Sequence, residues 1–283
     1  MSRRITAQTR IAGVVGNPAR HSLSPVIHNA WIEAAGLDGV YLAFEPAAER
    51  FDAFIEGLRG GQMLGLNVTT PFKARAFALA DVPDADAKLV KAANLLRFTE
   101  DGRIEAGSTD GRGQIAALQG AGFDLAEGPV VVLGAGGAAR SIVHALRSHG
   151  VQQVRVVNRT LGSAMQLVDV DPERVVAFRW TELPAALADA AAVINATSLG
   201  MEGQAPLPFD LDAAPTGALI ADIVYHPLTT PLLAVARARG HRTVDGLDML
   251  IGQAAPSFEA LFGRPPPAVD VRALCEAALA ERS

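Results

Sequence analysis

The run Val130-Val131-Val132-Leu133 leads straight into Gly134-Ala135-Gly136-Gly137-Ala138-Ala139-Arg140, and no other junction constrains the fold as much. Four apolar residues before G-x-G-x-x-A describe a buried strand, a tight turn and a helix start, the fingerprint of a dinucleotide-binding unit. Gly134 permits the turn, Gly136 lets backbone approach a pyrophosphate, and the small Ala139 allows close packing of helix on strand. Unpaired N–H groups at the helix start then face the anion.

The same beat continues downstream. Val154–Val157, Val175–Phe178, Ala191–Asn195, Leu219–Val224 and Arg242–Val244 read as strands, with Ala-, Leu- and Arg-rich helical segments filling most of the gaps. That alternation predicts a parallel sheet with crossover helices. Upstream, Ile11–Gly16, Val40–Phe44 and Met63–Val68 read as strands, separated by helical patterns over Pro25–Ala35 and Ala47–Leu58. Leu95–Phe98 and Arg103–Ala106 flank Asp101-Gly102, a hairpin signal. Two further helices, about Asp248–Phe262 and Asp270–Arg282, are split by Pro265-Pro266-Pro267. Ser24-Pro25, Thr70-Pro71 and Thr230-Pro231 each suggest an N-cap hydroxyl before a proline in the first helical position. With 283 residues, the chain is long enough for about two domains.

Composition removes several function classes. The single cysteine, Cys275, allows neither a disulfide framework nor a thiolate zinc cluster. A net charge of −5 argues against a nucleic-acid groove, and 5% aromatic residues against a base-stacking platform. No apolar run approaches a membrane span of about 18 residues, and the N-terminus lacks the apolar core of a signal peptide. A cytoplasmic protein is expected. The six histidines show no metal-ligand spacing and no G-x-S-x-G elbow is present, so no metal site and no serine hydrolase are expected.

The polar residues at element ends carry the chemistry. Asn158-Arg159-Thr160 closes the strand after the glycine turn, where an NAD site usually places an acid for the ribose hydroxyls. The uncharged Asn158 and the guanidinium fork of Arg159 suit a 2′-phosphate instead, which favours NADP. In Asn67-Val68-Thr69-Thr70-Pro71-Phe72-Lys73, with Thr70 as cap, Lys73 falls in the first helical turn. A cation there opposes the helix dipole at a cost of roughly 0.3–1 kcal/mol, which points to a functional lysine in proton transfer. A surface lysine reaching water is the plain alternative. Asp110, in Ser108-Thr109-Asp110-Gly111, precedes a helix from about Arg112 and reads as its N-cap. Ser24 is a natural cap in His21-Ser22-Leu23-Ser24-Pro25, whereas Ser22 has no structural need to be polar; together they could cradle a carboxylate. Asn195-Ala196-Thr197-Ser198-Leu199-Gly200-Met201 ends another strand on the expected cofactor side.

Taken together, these residues closely resemble the shikimate dehydrogenase family. Its pattern is matched in order by HSLSP, NVTTPFK, Asn94, STDG, GAGGAAR, NRT, NATSLGM, DIVYHPLTTPLL and DGLDMLIGQA, from about Gly13 to Gln253. The resemblance implies an α/β protein of two domains. One is an N-terminal α/β substrate domain completed by C-terminal helices (1–109 and 246–283). The other is an inserted Rossmann-type parallel-sheet domain (110–245), with the active site in the cleft. It implies NADPH-dependent, reversible reduction of 3-dehydroshikimate to shikimate in aromatic amino-acid biosynthesis.

In that family reading, Lys73 and Asp110 are catalytic and flank the reacting oxygen. Ser22 and Ser24 hold the substrate carboxylate with Tyr225 nearby, while Asn67, Thr69, Asn94 and Gln253 bond the ring hydroxyls. NADP is held by Gly134, Ala135, Gly136, Gly137, Ala138, Asn158, Arg159, Thr160, Thr197, Ile223, Gly246 and Met249. The partner is a small-molecule substrate, with no nucleic acid and no membrane, and the protein is a monomer or homodimer. The chain departs from the family at Leu95 (commonly Thr), Ser108 (commonly Asn), Asp248 (commonly Gly) and Ser163, where Lys or Arg often gives a second 2′-phosphate contact. Two alternatives stand beside this reading. An NAD-using quinate/shikimate dehydrogenase would tend to carry an acid in place of Arg159. A non-catalytic dinucleotide or shikimate sensor would have no reason to keep Lys73 with Asp110.

Overall fold

The computed structural model describes residues 5–281. The chain divides into two compact units, Met1–Thr109 with Gln253–Ser283, and Asp110–Gly252.

The first unit holds β1 (Arg10–Val15), α1 (Ser24–Ala34), β2 (Gly39–Phe44), α2 (Phe51–Glu56), β3 (Met63–Val68), α3 (Lys73–Ala78), β4 (Val82–Pro83), α4 (Ala85–Val90), β5 (Leu95–Phe98) and β6 (Ile104–Gly107). Its six-stranded sheet runs β2-β1-β3-β5-β6-β4. β1 pairs parallel with both β2 and β3, whereas β5 is antiparallel to β3 and to β6. Asp101-Gly102 makes the predicted β5–β6 turn, with Gly102 at φ 79°. The last four residues of β1 and of β3 are all buried, as expected where both sheet faces are covered. On one side Val15, Leu66, Val68, Leu96 and Ile104 pack with Phe51 and Phe72, whose rings stack at 4.2 Å. Burying each such aromatic contributes about 1.5–3 kcal/mol.

The second unit begins with α5 (Asp110–Gly120), followed by β7 (Val130–Leu133), α6 (Gly137–Ser148), β8 (Val154–Asn158), α7 (Leu161–Val168), β9 (Val175–Arg179), α8 (Leu183–Leu187), β10 (Ala192–Asn195), β11 (Leu219–Asp222), α9 (Pro231–Ala238) and β12 (Thr243–Val244). The sheet order is β12-β11-β10-β7-β8-β9, every pair parallel. Side chains alternate across β7: Val130 and Val132 join one core, Val131 and Leu133 the other. Strand order reverses between β7 and β10, and in open α/β sheets a ligand binds outside the carboxyl ends of the strands at that switch. After β12, α10 (Gly246–Phe262) and α11 (Val271–Ala280) complete the chain, and α10 from Gln253 onward belongs to the first unit.

Several boundaries differ from the sequence expectation. Only Thr230 behaves as a capping hydroxyl before proline, accepting the Leu233 N–H at 3.3 Å. Ser24 is already the first residue of α1, after Leu23. Thr70-Pro71, a cis peptide, lies in a turn closed by Phe72 N–H donating to Thr69 O at 2.9 Å, so α3 starts two residues after Pro71. α5 likewise starts at Asp110 itself rather than at Arg112. The Ala47–Leu58 pattern divides into a 3-10 turn (Ala48–Arg50) and the short α2. β4 and α4 were not foreseen, although Asp84 caps α4 by accepting the Ala87 N–H at 2.7 Å. The last helix starts after Asp270 as expected and ends at Ala280, while its expected end, Arg282, lies outside the described residues.

Candidate active site

A buried polar network occupies the first unit. Asn67 ends β3 one residue before its last; its Oδ1 accepts from the Tyr41 hydroxyl at 2.8 Å, and its Nδ2 donates to Asn94 O (3.1 Å) and Ser257 Oγ (2.9 Å). Asn94 Nδ2 donates to Thr109 Oγ1 at 2.9 Å and reaches Gln253 Oε1 at 3.4 Å, while its Oδ1 accepts the Thr109 N–H at 2.7 Å. Thr109 Oγ1 also lies 3.2 Å from Ser257 Oγ. Residues far apart in sequence are thus locked into one hydrogen-bonded surface. Leaving one of these groups unpaired costs about 1–3 kcal/mol, so the network holds its geometry firmly.

Tyr41 was not foreseen from sequence. Burial pushes its hydroxyl well above the usual phenol range, and Ser24 hydrogen-bonds to it. Its ring lies flat on His28, with centroids 4.1 Å apart and planes at 3°. His28 is fully buried, and desolvation pulls its pKa down to about 3, so it is a neutral plate backing Tyr41. Asn29 ties the Tyr41 backbone on both sides, donating to its carbonyl and accepting from its N–H. Ser22 does have a structural role, contrary to the sequence reading: its Oγ accepts the Ser24 N–H at 3.2 Å. Its own O–H proton is not used in that bond.

Lys73 is the first residue of α3 and half-buried. A ring stack and a hydrogen bond fix its backbone. The fully buried Phe72, stacked on Phe51, anchors the preceding turn, and Lys73 O accepts the Ala93 N–H at 2.9 Å. The residue after Ala93 is Asn94, so the lysine backbone is tied to the strand that starts the polar network. Thr69 is held by its N–H donating to Val15 O at 2.9 Å. Asp110 is buried and joined by a peptide bond to Thr109 of that network, but it and Tyr225 belong to the second unit.

The residues expected to hold a dinucleotide all fall in the second unit. Gly134 has φ 104°, and a Cβ there would sit 2.8 Å from Thr197 Cγ2, so only glycine fits. A Cβ on Gly136 would meet no protein atom within 4 Å, which leaves the turn open to a ligand. α6 then starts at Gly137-Ala138 with no side-chain cap, so its first N–H groups are available to an anion. Ala135 packs partly against the core and Ala139 is fully buried. Asn158 Nδ2 donates to Thr160 O at 2.9 Å, shaping the turn that exposes Arg159. Among the described residues no carboxylate pairs with Arg159. Thr160 precedes α7 without a side-chain cap bond to its amides. An open glycine turn, an uncapped helix start and an unpaired guanidinium fit a dinucleotide bearing a 2′-phosphate.

Other expected contacts lie at the neighbouring strand ends. Thr197 donates through its N–H (3.1 Å) and hydroxyl (2.7 Å) to Asn195 Oδ1. Ile223 N–H donates to Asn195 O at 3.1 Å. A Cβ on Gly246 would lie 2.3 Å from Ile223 O, so glycine lets α10 start hard against that loop. Met249 is buried in the core of this unit. Among the described residues no cluster of His, Cys, Asp or Glu could hold a metal.

Three family models match the chain: the shikimate dehydrogenase substrate binding domain over 14–96, shikimate / quinate 5-dehydrogenase over 116–201, and the shikimate 5'-dehydrogenase C-terminal domain over 246–276. The chain is 51% identical over 284 residues to the shikimate dehydrogenase (NADP(+)) of Caulobacter vibrioides, covering 99% of this chain and 100% of the relative. The crystal structure of shikimate 5-dehydrogenase from Thermus thermophilus in complex with NADP(H) and shikimate is similar at TM-score 0.84 and 34% identity, covering 95% and 98% of the two chains. That of the Listeria monocytogenes enzyme in complex with shikimate and NAD is similar at TM-score 0.87 and 32% identity, covering 98% and 99%.

Proposed function

The chain belongs to the shikimate dehydrogenase family, and from that premise we propose how its own residues divide the work. It is an NADP-dependent oxidoreductase that interconverts 3-dehydroshikimate and shikimate. Bound NADPH supplies the hydride.

Lys73 donates a proton to the carbonyl oxygen as negative charge develops on it, and in the reverse direction takes that proton back. Donors placed at a developing alkoxide are commonly worth about 3–4 kcal/mol. Asp110, the residue after Thr109, is assigned as the second catalytic group. Ser22 and Ser24 bind the substrate carboxylate, with Tyr225 contributing a hydroxyl. Asn67 already spends both amide hydrogens on Asn94 and Ser257, so it meets a ring hydroxyl as an acceptor, through the remaining lone pair of Oδ1. Thr69, Asn94 and Gln253 complete the recognition of ring hydroxyls. The glycine turn, the start of α6 and the loops carrying Asn158-Arg159-Thr160, Thr197, Ile223, Gly246 and Met249 hold the dinucleotide, with Arg159 on its 2′-phosphate.

The observation that carries this reading is the buried Asn67–Asn94–Thr109–Gln253 network, tied through Ala93 to the backbone of a helix-start lysine. No requirement of the fold explains a cation in that place. Replacing Lys73 by Ala is expected to lower the turnover of shikimate-dependent NADP reduction more than about 100-fold with little change in KM. Near-normal turnover would remove Lys73 from the chemistry, and tight binding without turnover in the unaltered chain would favour a sensor. Cytoplasmic residence is part of the same proposal; among the described residues no helix is long and apolar enough to cross a membrane.

A further inference from the structure

One buried carboxylate has no part in the scheme above. Asp222 ends β11, directly across from Asn195 at the end of β10, and is 2% exposed. Its Oδ1 accepts from Asn195 Nδ2 at 2.9 Å and from the Val224 N–H at 3.0 Å, and its Oδ2 from the Thr230 hydroxyl at 2.7 Å. All three donors are neutral. Burying a carboxylate without a cation is expensive, and burial pushes this group up to about 6. Stability alone would favour a neutral residue of the same shape.

A carboxylate differs from its amide in being an acceptor only. It takes the NH2 group of Asn195, which also donates to Leu199 O at 3.2 Å, and so helps to keep the Asn195 Oδ1 facing the other direction. That Oδ1 then receives both the N–H and the hydroxyl hydrogen of Thr197, leaving the Thr197 oxygen to accept the Leu199 N–H at 3.1 Å. The Thr197 methyl group fills the space beside Gly134. On the other side, Asn195 O holds the Ile223 N–H, and Asp222 itself holds the Val224 N–H. The amide orientation of Asn195 thus holds Thr197 beside the glycine turn, while Asp222 itself holds the start of the loop after β11.

We propose that Asp222 is a positioning residue for the dinucleotide, acting through the amide of Asn195 to hold Thr197 in its binding arrangement. The inference rests on the reading that these loops bind NADP. An amide at 222 keeps one acceptor oxygen and turns the other into a donor, so it no longer takes the Asn195 NH2 group, the Val224 N–H and the Thr230 hydroxyl hydrogen all at once.

The test is direct titration of NADP and of shikimate, with steady-state kinetics, on the full chain. Asp222→Asn keeps the volume and is expected to raise the Kd and KM for NADP about fivefold or more, with kcat and the KM for shikimate within about twofold. Should Asp222→Asn fail to fold, Asn195→Ser removes the amide that links Asp222 to Thr197 and is expected to weaken NADP about threefold. Unchanged NADP affinity in the folded Asp222 or Asn195 variant, or an equal loss for shikimate, would overturn the proposal. Failure of the underlying reading has a separate signature: the unaltered chain, and Arg159→Ala with it, would not discriminate NADP from NAD at all.

Discussion

In the proposed reading, the two units recognise their ligands by opposite means. In the first, recognition is built from side chains scattered along the sequence, at 67, 94, 109, 253 and 257, which satisfy one another by hydrogen bonds in a buried layer. In the second, it is built from backbone: a glycine turn, an uncapped helix start and strand-end loops, with side chains acting mainly to hold loops in place. A polyhydroxylated ring needs donors and acceptors at fixed points, which only a rigid polar surface offers. A pyrophosphate needs several N–H groups and close approach, which a helix start and Gly supply.

This contrast can be broken by exchanging what each unit tolerates. The largest effect is expected from Gly134→Val in the second unit. A branched side chain at φ 104°, with Thr197 Cγ2 already 2.8 Å from the Cβ position, forces the turn to shift. NADP affinity should fall more than about 100-fold, measured by fluorescence titration, while shikimate affinity is retained. Normal NADP binding would show that the turn is not the dinucleotide site.

A smaller effect is expected from Asn94→Ala in the first unit. It removes the partner of the Thr109 N–H and hydroxyl and the neighbour of Gln253, and should raise the Kd for shikimate about tenfold or more. Thermal unfolding should show a lowered Tm as well, because the same bonds hold the layer together. Unchanged shikimate affinity with a lowered Tm would make the network purely structural.

Legibility in the sequence follows the same division. The second unit was readable because its signal is contiguous: strand, glycine turn and helix occupy Val130–Ser148, and each later strand is a short apolar run. Arg159 could be found because the position after β8 has a fixed meaning in such sheets. In the first unit, Asn67, Asn94 and Gln253 came from family resemblance, since no spacing rule links residues 67 and 253. Tyr41 and Ser257 were missed for that reason; a tyrosine on a strand otherwise reads as core. Capping was only partly legible. Thr230-Pro231 caps as its sequence suggests, whereas the backbone turn from Thr69 to Phe72 delays α3 and leaves Thr70 no cap to make. Asp222 was passed over because a polar residue after three apolar ones looks like the end of a strand, which it also is.

The smallest expected change is also the most selective, and it tests the division of labour most directly. Arg159 is exposed and unpaired among the described residues, so Arg159→Ala should leave the fold and the shikimate site as they are. The decisive measurement is the Kd of NADP, NAD and shikimate for the unaltered chain and for Arg159→Ala under one set of conditions. The expected result is a loss of about tenfold for NADP, no change for NAD and no change for shikimate. Equal losses for NADP and NAD, or a change in shikimate affinity, would contradict the assignment of the 2′-phosphate to Arg159 and the separation of the two sites on which the account depends.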